Sequence, residues 1–210
     1  PPKIQTLAKS ILKNPEEVKI AISRPPESIM QTAYICYGPQ KIKILQSLFT
    51  EAHPQRVIIF SSSKAKVKEL TSTLMKKKFN VAAMHSDLEQ AQREEVMKEF
   101  KNGHIDILVA TDVVARGIDI NDIRLVVNFD IPHDPEDYVH RIGRTARGTN
   151  GEGLAITFVS PEEQAHFKQI EDFLGKEVYK IPVDPAFGEV PKYEPKKYGT
   201  GTKRRGRSRR

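Results

Sequence analysis

Ile105-Asp106-Ile107-Leu108-Val109-Ala110-Thr111-Asp112 reads as a short apolar strand, Ile105 to Ala110, that stops on two polar residues. Past Asp106 it is a short continuous apolar run, which suits a strand covered on both faces, the situation of a parallel sheet. Comparable runs occur at Val57 to Phe60, Val81 to Met84, Leu125 to Asn128 and Leu154 to Val159. Between them lie stretches with helical apolar spacing, Lys64 to Lys77 (Val67, Leu70, Leu74) and Gln90 to Lys101 (Val96, Met97, Phe100). Alternation of this kind predicts an α/β fold, a parallel sheet sandwiched by helices. A further strand over Gln31 to Tyr37, a helix over Pro39 to Phe49 and a late helix over Pro161 to Leu174 complete the domain.

Three of the strands end on polar clusters: Ser61-Ser62-Ser63, His85-Ser86-Asp87 and Thr111-Asp112. In an open α/β sheet the carboxyl ends of the strands and the helix N-termini that follow them form the ligand-binding rim. Each cluster taken singly is explained by helix capping. Together on one rim, with Arg93 a turn into the helix after His85-Ser86-Asp87, they suit a track for a sugar-phosphate backbone, which such groups position without reading bases.

His140-Arg141-Ile142-Gly143-Arg144-Thr145-Ala146-Arg147-Gly148 places three guanidinium groups three residues apart. On a helix Asp137 reaches Arg141, whereas the positions four before Arg144 and Arg147 are His140 and Gly143. These two arginines are expected to lack a local partner. Their planar, permanently charged forks suit phosphate oxygens and the charge that develops on a transferred γ-phosphate; the alternative is a solvated basic helix face. In Ala115-Arg116-Gly117-Ile118-Asp119, Gly117 allows a tight turn and Asp119 can accept a hydrogen bond from a ribose hydroxyl. Tyr138 is expected to pack.

The chain has 210 residues, enough for one domain with appendages. No apolar run approaches the length of a membrane span. The single cysteine, Cys36, cannot form an intrachain disulfide and is expected to pack in a reducing, cytoplasmic setting. Of the net charge of +7, Lys203 to Arg210 contributes six, leaving +1 for the rest. The expected organisation is the end of a preceding domain plus a linker stiffened by Pro25-Pro26 over residues 1–26, a globular domain over 27–184, and a basic, unstructured tail over 185–210 that attracts nucleic acid phosphates. The start, Pro1-Pro2-Lys3, suggests a piece of a longer chain.

Thr111-Asp112-Val113-Val114-Ala115-Arg116-Gly117-Ile118-Asp119 together with His140 to Arg147 closely resembles motifs V and VI of the DEAD-box ATP-dependent RNA helicases. Ile59-Phe60 ahead of Ser63 resembles motif IV, and Gln90-Ala91-Gln92-Arg93 the family's Gln-x-x-Arg element. The resemblance spans roughly residues 30–182 and implies the second RecA-like domain. It implies that Arg144 and Arg147 are arginine fingers at the γ-phosphate and that His140 and Arg141 couple the two domains around ATP. Gly117 and Asp119 would lie on the ribose side of the nucleotide, and Arg116 would contact the first domain. Ser63, Arg93 and Thr111 would touch RNA phosphates, with Gln90 supporting that surface. His85-Ser86-Asp87 carries Ser86 where the family usually has Gly, Ala65 stands where many relatives have Arg, and Ala146 replaces a more frequent Gly.

Neither a Gly-x-x-x-x-Gly-Lys-[Ser/Thr] cradle nor an Asp-Glu-Ala-Asp run occurs. ATP and Mg²⁺ are therefore expected to be held mainly by a first RecA-like domain outside this sequence, and this chain alone is expected to lack ATPase activity. The expected partners are RNA and that N-terminal domain, with no membrane; oligomeric state is open, a monomer being the default. A non-enzymatic RNA-binding module working through its basic tail is the main alternative, and a DNA-translocating relative on the same fold a third.

Overall fold

A computed structural model describes residues 29–115, 123–145 and 153–195. The expected linker and preceding-domain segment, and the basic run Lys203 to Arg210, lie outside the described residues. Seven strands form one sheet: β1 (Ile29–Ile35), β2 (Val57–Phe60), β3 (Val81–Met84), β4 (Ile107–Ala110), β5 (Leu125–Asn128), β6 (Gly153–Val159) and β7 (Tyr179–Lys180), in the order β3-β4-β2-β5-β6-β1-β7. All pairings are parallel. Among the described residues six α-helices accompany them: α1 (Gly38–Ala52), α2 (Lys64–Lys76), α3 (Gln90–Lys101), α4 (Asp112–Ala115), α5 (Pro135–Ile142) and α6 (Gln164–Leu174), the last preceded by a 3₁₀ turn at Pro161–Glu163.

Strands β2 and β4 are apolar throughout because both faces are covered. On one face Ile59, Val109, Val127 and Phe158 meet α1 through Leu45 and Phe49, and α2 through Val67 and Leu74. On the other, Ile58, Leu108 and Val126 pack against Phe100 of α3, and Ala33, Ala155 and Val159 against Tyr138 of α5 and Phe167 of α6. Tyr138 is fully buried, a packing residue as expected. Cys36 is also fully buried, and burial pushes its thiol up to about 12.

Two expectations shift. The first strand starts and stops two residues earlier than Gln31 to Tyr37, because Tyr37 already occupies the extended N-cap position of α1 and Cys36 gives the last bond to β6, its N–H donating to the Val159 carbonyl at 3.1 Å. The tail expected to begin at 185 does not leave the domain there. Ile181 continues the β1 edge, its N–H donating to Ala33, and a 3₁₀ turn follows at Pro185–Phe187. The Gln40 amide then donates to the carbonyls of Phe187 and Glu189, and the Gln164 amide is bonded to Lys192 and Glu194. Tyr193 donates to Glu171 and packs edge-on against Phe167. Residues 181–195 are thus a strap across α1 and α6, and composition concealed them because their partners are glutamines far away in sequence.

Candidate nucleic-acid and nucleotide interface

The register fixes the rim. Met84 and Phe60 both pair with Ala110, Phe60 pairs with Asn128, and Asn128 with Thr157. Ser61, His85, Thr111 and Phe129 therefore follow neighbouring strands at one end of the sheet, and the three polar clusters share an edge as the sequence predicted.

On the β2–β4–β3 part of this rim, Ser63 caps α2, its hydroxyl accepting from the Lys66 N–H at 3.3 Å. Ser86 is exposed, and its carbonyl accepts from Arg93 Nη2 at 3.2 Å. Gln90 opens α3 and spends its amide on Glu94 at 2.8 Å, along its own helix. Thr111 is half-buried at the end of β4, and the neighbouring Val113 is 78% exposed, an unusual surface for an apolar side chain. Capping thus accounts for Ser63; it does not account for Arg93, whose Nε is buried without a partner among the described residues.

Arg141 sits differently from the expectation. Helical spacing offered it Asp137; the carboxylate it takes is Asp112, on α4, with Nε–Oδ1 at 2.6 Å and Nη2–Oδ2 at 2.7 Å. Its Nη1 donates to Asn128 Oδ1 at 3.1 Å and to the Asp130 carbonyl at 2.7 Å, and the guanidinium lies 5.0 Å from the centre of the Phe60 ring. At 3% exposure it is an internal strut linking the ends of β2, β4 and β5 to α5. His140, beside it, is exposed, with Nδ1 3.9 Å from Asp137.

Arg144 lies one turn past Arg141 on the turn that ends α5, half-buried, its N–H donating to the Arg141 carbonyl at 3.1 Å. The expectation that it lacks a partner is not met: Arg144 makes a further interaction besides that backbone bond. Thr145 next to it is fully buried and donates to the Ile123 carbonyl at 2.8 Å. Arg116, Gly117, Asp119 and Arg147 lie outside the described residues.

Asp130 had no assigned role and emerges as the hub of the rim. Its Oδ2 accepts from the Ser61 hydroxyl and the Ser62 N–H, both at 2.8 Å, and its Oδ1 faces Lys66 at 3.0 Å and Lys41 at 3.9 Å. Burial pushes this carboxyl up, but the Ser62 and Ser61 hydrogen bonds and the two lysines outweigh it and hold it at about 2. Buried Lys41 is held by Glu163 at 2.6 Å and by the Phe129 carbonyl. The sequence signal was Asn128-Phe129-Asp130 at a strand end; its hydrogen-bond partners lie 64 to 69 residues away in sequence. Among the described residues no group of three or more His, Cys, Asp or Glu could hold a metal ion, and no helix is long and apolar enough to cross a membrane.

Residues 40–149 match the helicase conserved C-terminal domain family. The chain belongs to that family, in its DEAD-box branch. It is 37% identical over 190 residues to the ATP-dependent RNA helicase CshA of Limosilactobacillus reuteri, covering 90% of this chain and 38% of that protein. Among solved structures it resembles the E. coli DEAD-box protein SrmB bound to the regulator of ribonuclease activity A, with 32% identity, a TM-score of 0.71, and coverage of 78% of this chain and 98% of that one. It also resembles S. cerevisiae Dbp5 bound to RNA and ADP BeF3, with 29% identity, a TM-score of 0.76, and coverage of 89% of this chain and 50% of that one. The parallel seven-stranded sheet is that of RecA-like helicase C-terminal domains. This DEAD-box helicase domain spans well under half the length of CshA and half the Dbp5 chain.

Proposed function

We propose that the chain is the second half of an ATP-dependent RNA helicase motor, supplying one wall of an RNA track and the arginine fingers of an ATP site. The observation that carries this reading is the strut at the rim. Arg141, fixed by Asp112 at the end of β4, ties the α5 turn bearing Arg144 to the strand ends that bear Ser63 and Thr111. A shift at the RNA side is thereby passed to the nucleotide side through one buried, rigid ion pair.

In this reading Ser63, Ser86, Arg93 and Thr111 meet RNA phosphates and sugars, with Gln90 supporting them. Arg116, Gly117 and Asp119 face the nucleotide and the first domain, and His140, exposed beside Arg141, meets that domain. Arg144 and Arg147 turn to the γ-phosphate once ATP and RNA draw the domains together. ATP with Mg²⁺ is held mainly by the first RecA-like domain, so this chain alone does not hydrolyse ATP. Residues 1–26 serve as the end of that domain and the linker that follows it. A transition-state arginine of this kind contributes about 10³-fold or more in turnover.

The test is made in the full-length protein. Arg144→Ala and Arg147→Ala should each abolish RNA-stimulated ATP hydrolysis while ATP binding, followed with a fluorescent ATP analogue, stays within a few-fold of normal. Near-normal turnover in both variants defeats the reading.

A further inference from the structure

The N-terminus of α2 carries the wrong sign of charge for a helix start. Acidic residues are stabilising in a first helical turn because the unpaired N–H groups there are partially positive. The first turn of α2 has none, and instead presents Lys64 and Lys66, followed by Lys68. Lys66 is drawn to Asp130. Lys64 and Lys68 both reach across to one carboxylate, Asp87 on the β3–α3 loop, each at 2.8 Å, and hydrogen bonds from the two lysines hold that carboxyl at about 2.

The same corner holds two polar atoms that no group among the described residues satisfies. His85 is 5% exposed with Nδ1 buried and unpartnered, and Arg93 Nε is in the same condition. Burial pushes the His85 imidazole below its ordinary value, and Lys68, Lys64 and Arg93 act on it in the same direction against Asp87 alone. Three permanent cations therefore face one carboxylate at the β3 end of the rim. Exposed ion pairs such as Lys64–Asp87 and Lys68–Asp87 contribute little to stability and open at small cost.

We infer that Lys64 and Lys68 form a phosphate-binding pair for the RNA strand, kept parked on Asp87 until a backbone phosphate displaces that carboxylate. The inference rests on the reading of this rim as an RNA track and adds residues which that reading does not name. The incoming phosphate meets a helix N-terminus, two extended ammonium groups and the unfilled Arg93 Nε. Asp87 is the counter-ion that keeps the corner from binding anions indiscriminately.

The two roles of Asp87 predict opposite signs. Full-length protein with a non-hydrolysable ATP analogue is titrated into fluorescein-labelled oligouridylate over a series of salt concentrations. The Lys64→Ala/Lys68→Ala variant should bind roughly 10- to 30-fold more weakly at 0.1 M salt. Its slope of log affinity against log salt should be smaller by about 0.7, the value for one phosphate contact on a single strand. Asp87→Asn, which releases both lysines, should bind several-fold more tightly than the parent. If Asp87→Asn weakens binding as the lysine variant does, the cluster only braces the loop and the inference falls. If the lysine variant is unchanged while Arg93→Ala weakens binding, the inference falls and the track stands. If Arg93→Ala and Thr111→Val are also without effect, the track reading itself falls.

Discussion

Arg141 and Asp112, 29 residues apart in sequence, share a two-point ion pair in which the arginine is 3% and the carboxylate 27% exposed. A fork that makes two parallel bonds to one carboxylate, two more to Asn128 and Asp130, and stacks on Phe60 cannot be replaced by an ammonium group. Removing one partner of a buried pair typically costs about 3–5 kcal/mol, because the other charge stays buried. Arg141→Ala is therefore expected to lower the urea-unfolding free energy of this chain by about that amount, with Arg141→Lys recovering little of it. Arg144→Ala, on the half-exposed turn, should cost far less. A loss under 1 kcal/mol for Arg141→Ala would show that the strut does not hold the rim together.

Asp130 is expected to contribute to the acid limit of the domain. Its folded value of about 2 lies below the ordinary value of 3.8, so the carboxylate adds stability that is complete above about pH 4 and is lost as pH falls through 4 towards 2. A depression of that size is worth about 2–3 kcal/mol at neutral pH. Asp130→Asn should lower stability at pH 7 and flatten the acid limb between pH 4 and 2, read by circular dichroism during acid titration. An acid limb of unchanged steepness in Asp130→Asn would place the sensitive carboxylate elsewhere.

Four of the strands, at Val57, Val81, Leu125 and the body of Ile107–Ala110, were legible because a run of apolar, largely β-branched residues has few other uses. The shared rim followed from strand direction alone. What could not be read locally was pairing across the fold. Asp137 was the sequence neighbour for Arg141, but Asp112 is brought alongside by the β4–β2–β5 order, and the Asp130 hub draws on Ser61 after β2, Lys66 of α2 and Lys41 of α1. The two-residue β7 falls below any periodicity.

Gly153 controls the seat of the arginine turn. A Cβ there would come within 2.6 Å of Thr145 Cγ2 and 2.9 Å of its carbonyl oxygen, so Thr145 must move. Thr145 is anchored to the Ile123 carbonyl and follows Arg144 directly. Overpacking of this kind costs about 1–3 kcal/mol. Gly153→Ala should show that loss in thermal unfolding and, in the full-length protein, reduce RNA-stimulated hydrolysis more than RNA affinity. Gly38→Ala, where an added Cβ meets nothing within 4 Å, is the control. Equal behaviour of the two variants would free Arg144 from any dependence on this contact.

The strap changes how the role of the basic tail has to be tested. A chain cut after Asp184 loses Lys203 to Arg210, but it also strips Gln164, which is fully buried, of its bonds to Lys192 and Glu194, and Glu171 of Tyr193. Buried polar groups left without partners cost about 1–3 kcal/mol each, so that truncation should destabilise the domain by roughly 2–5 kcal/mol and confuse folding with binding. A chain ending at Pro195 keeps all of these bonds while still removing the six cations of Lys203 to Arg210. It should unfold at the same urea concentration as the full chain yet bind oligouridylate more weakly, with a shallower salt dependence. If its RNA binding vanishes altogether, the tail is the working part and the rim is scaffold; if binding persists with sensitivity to Arg93→Ala, the rim is the track and the tail an auxiliary grip.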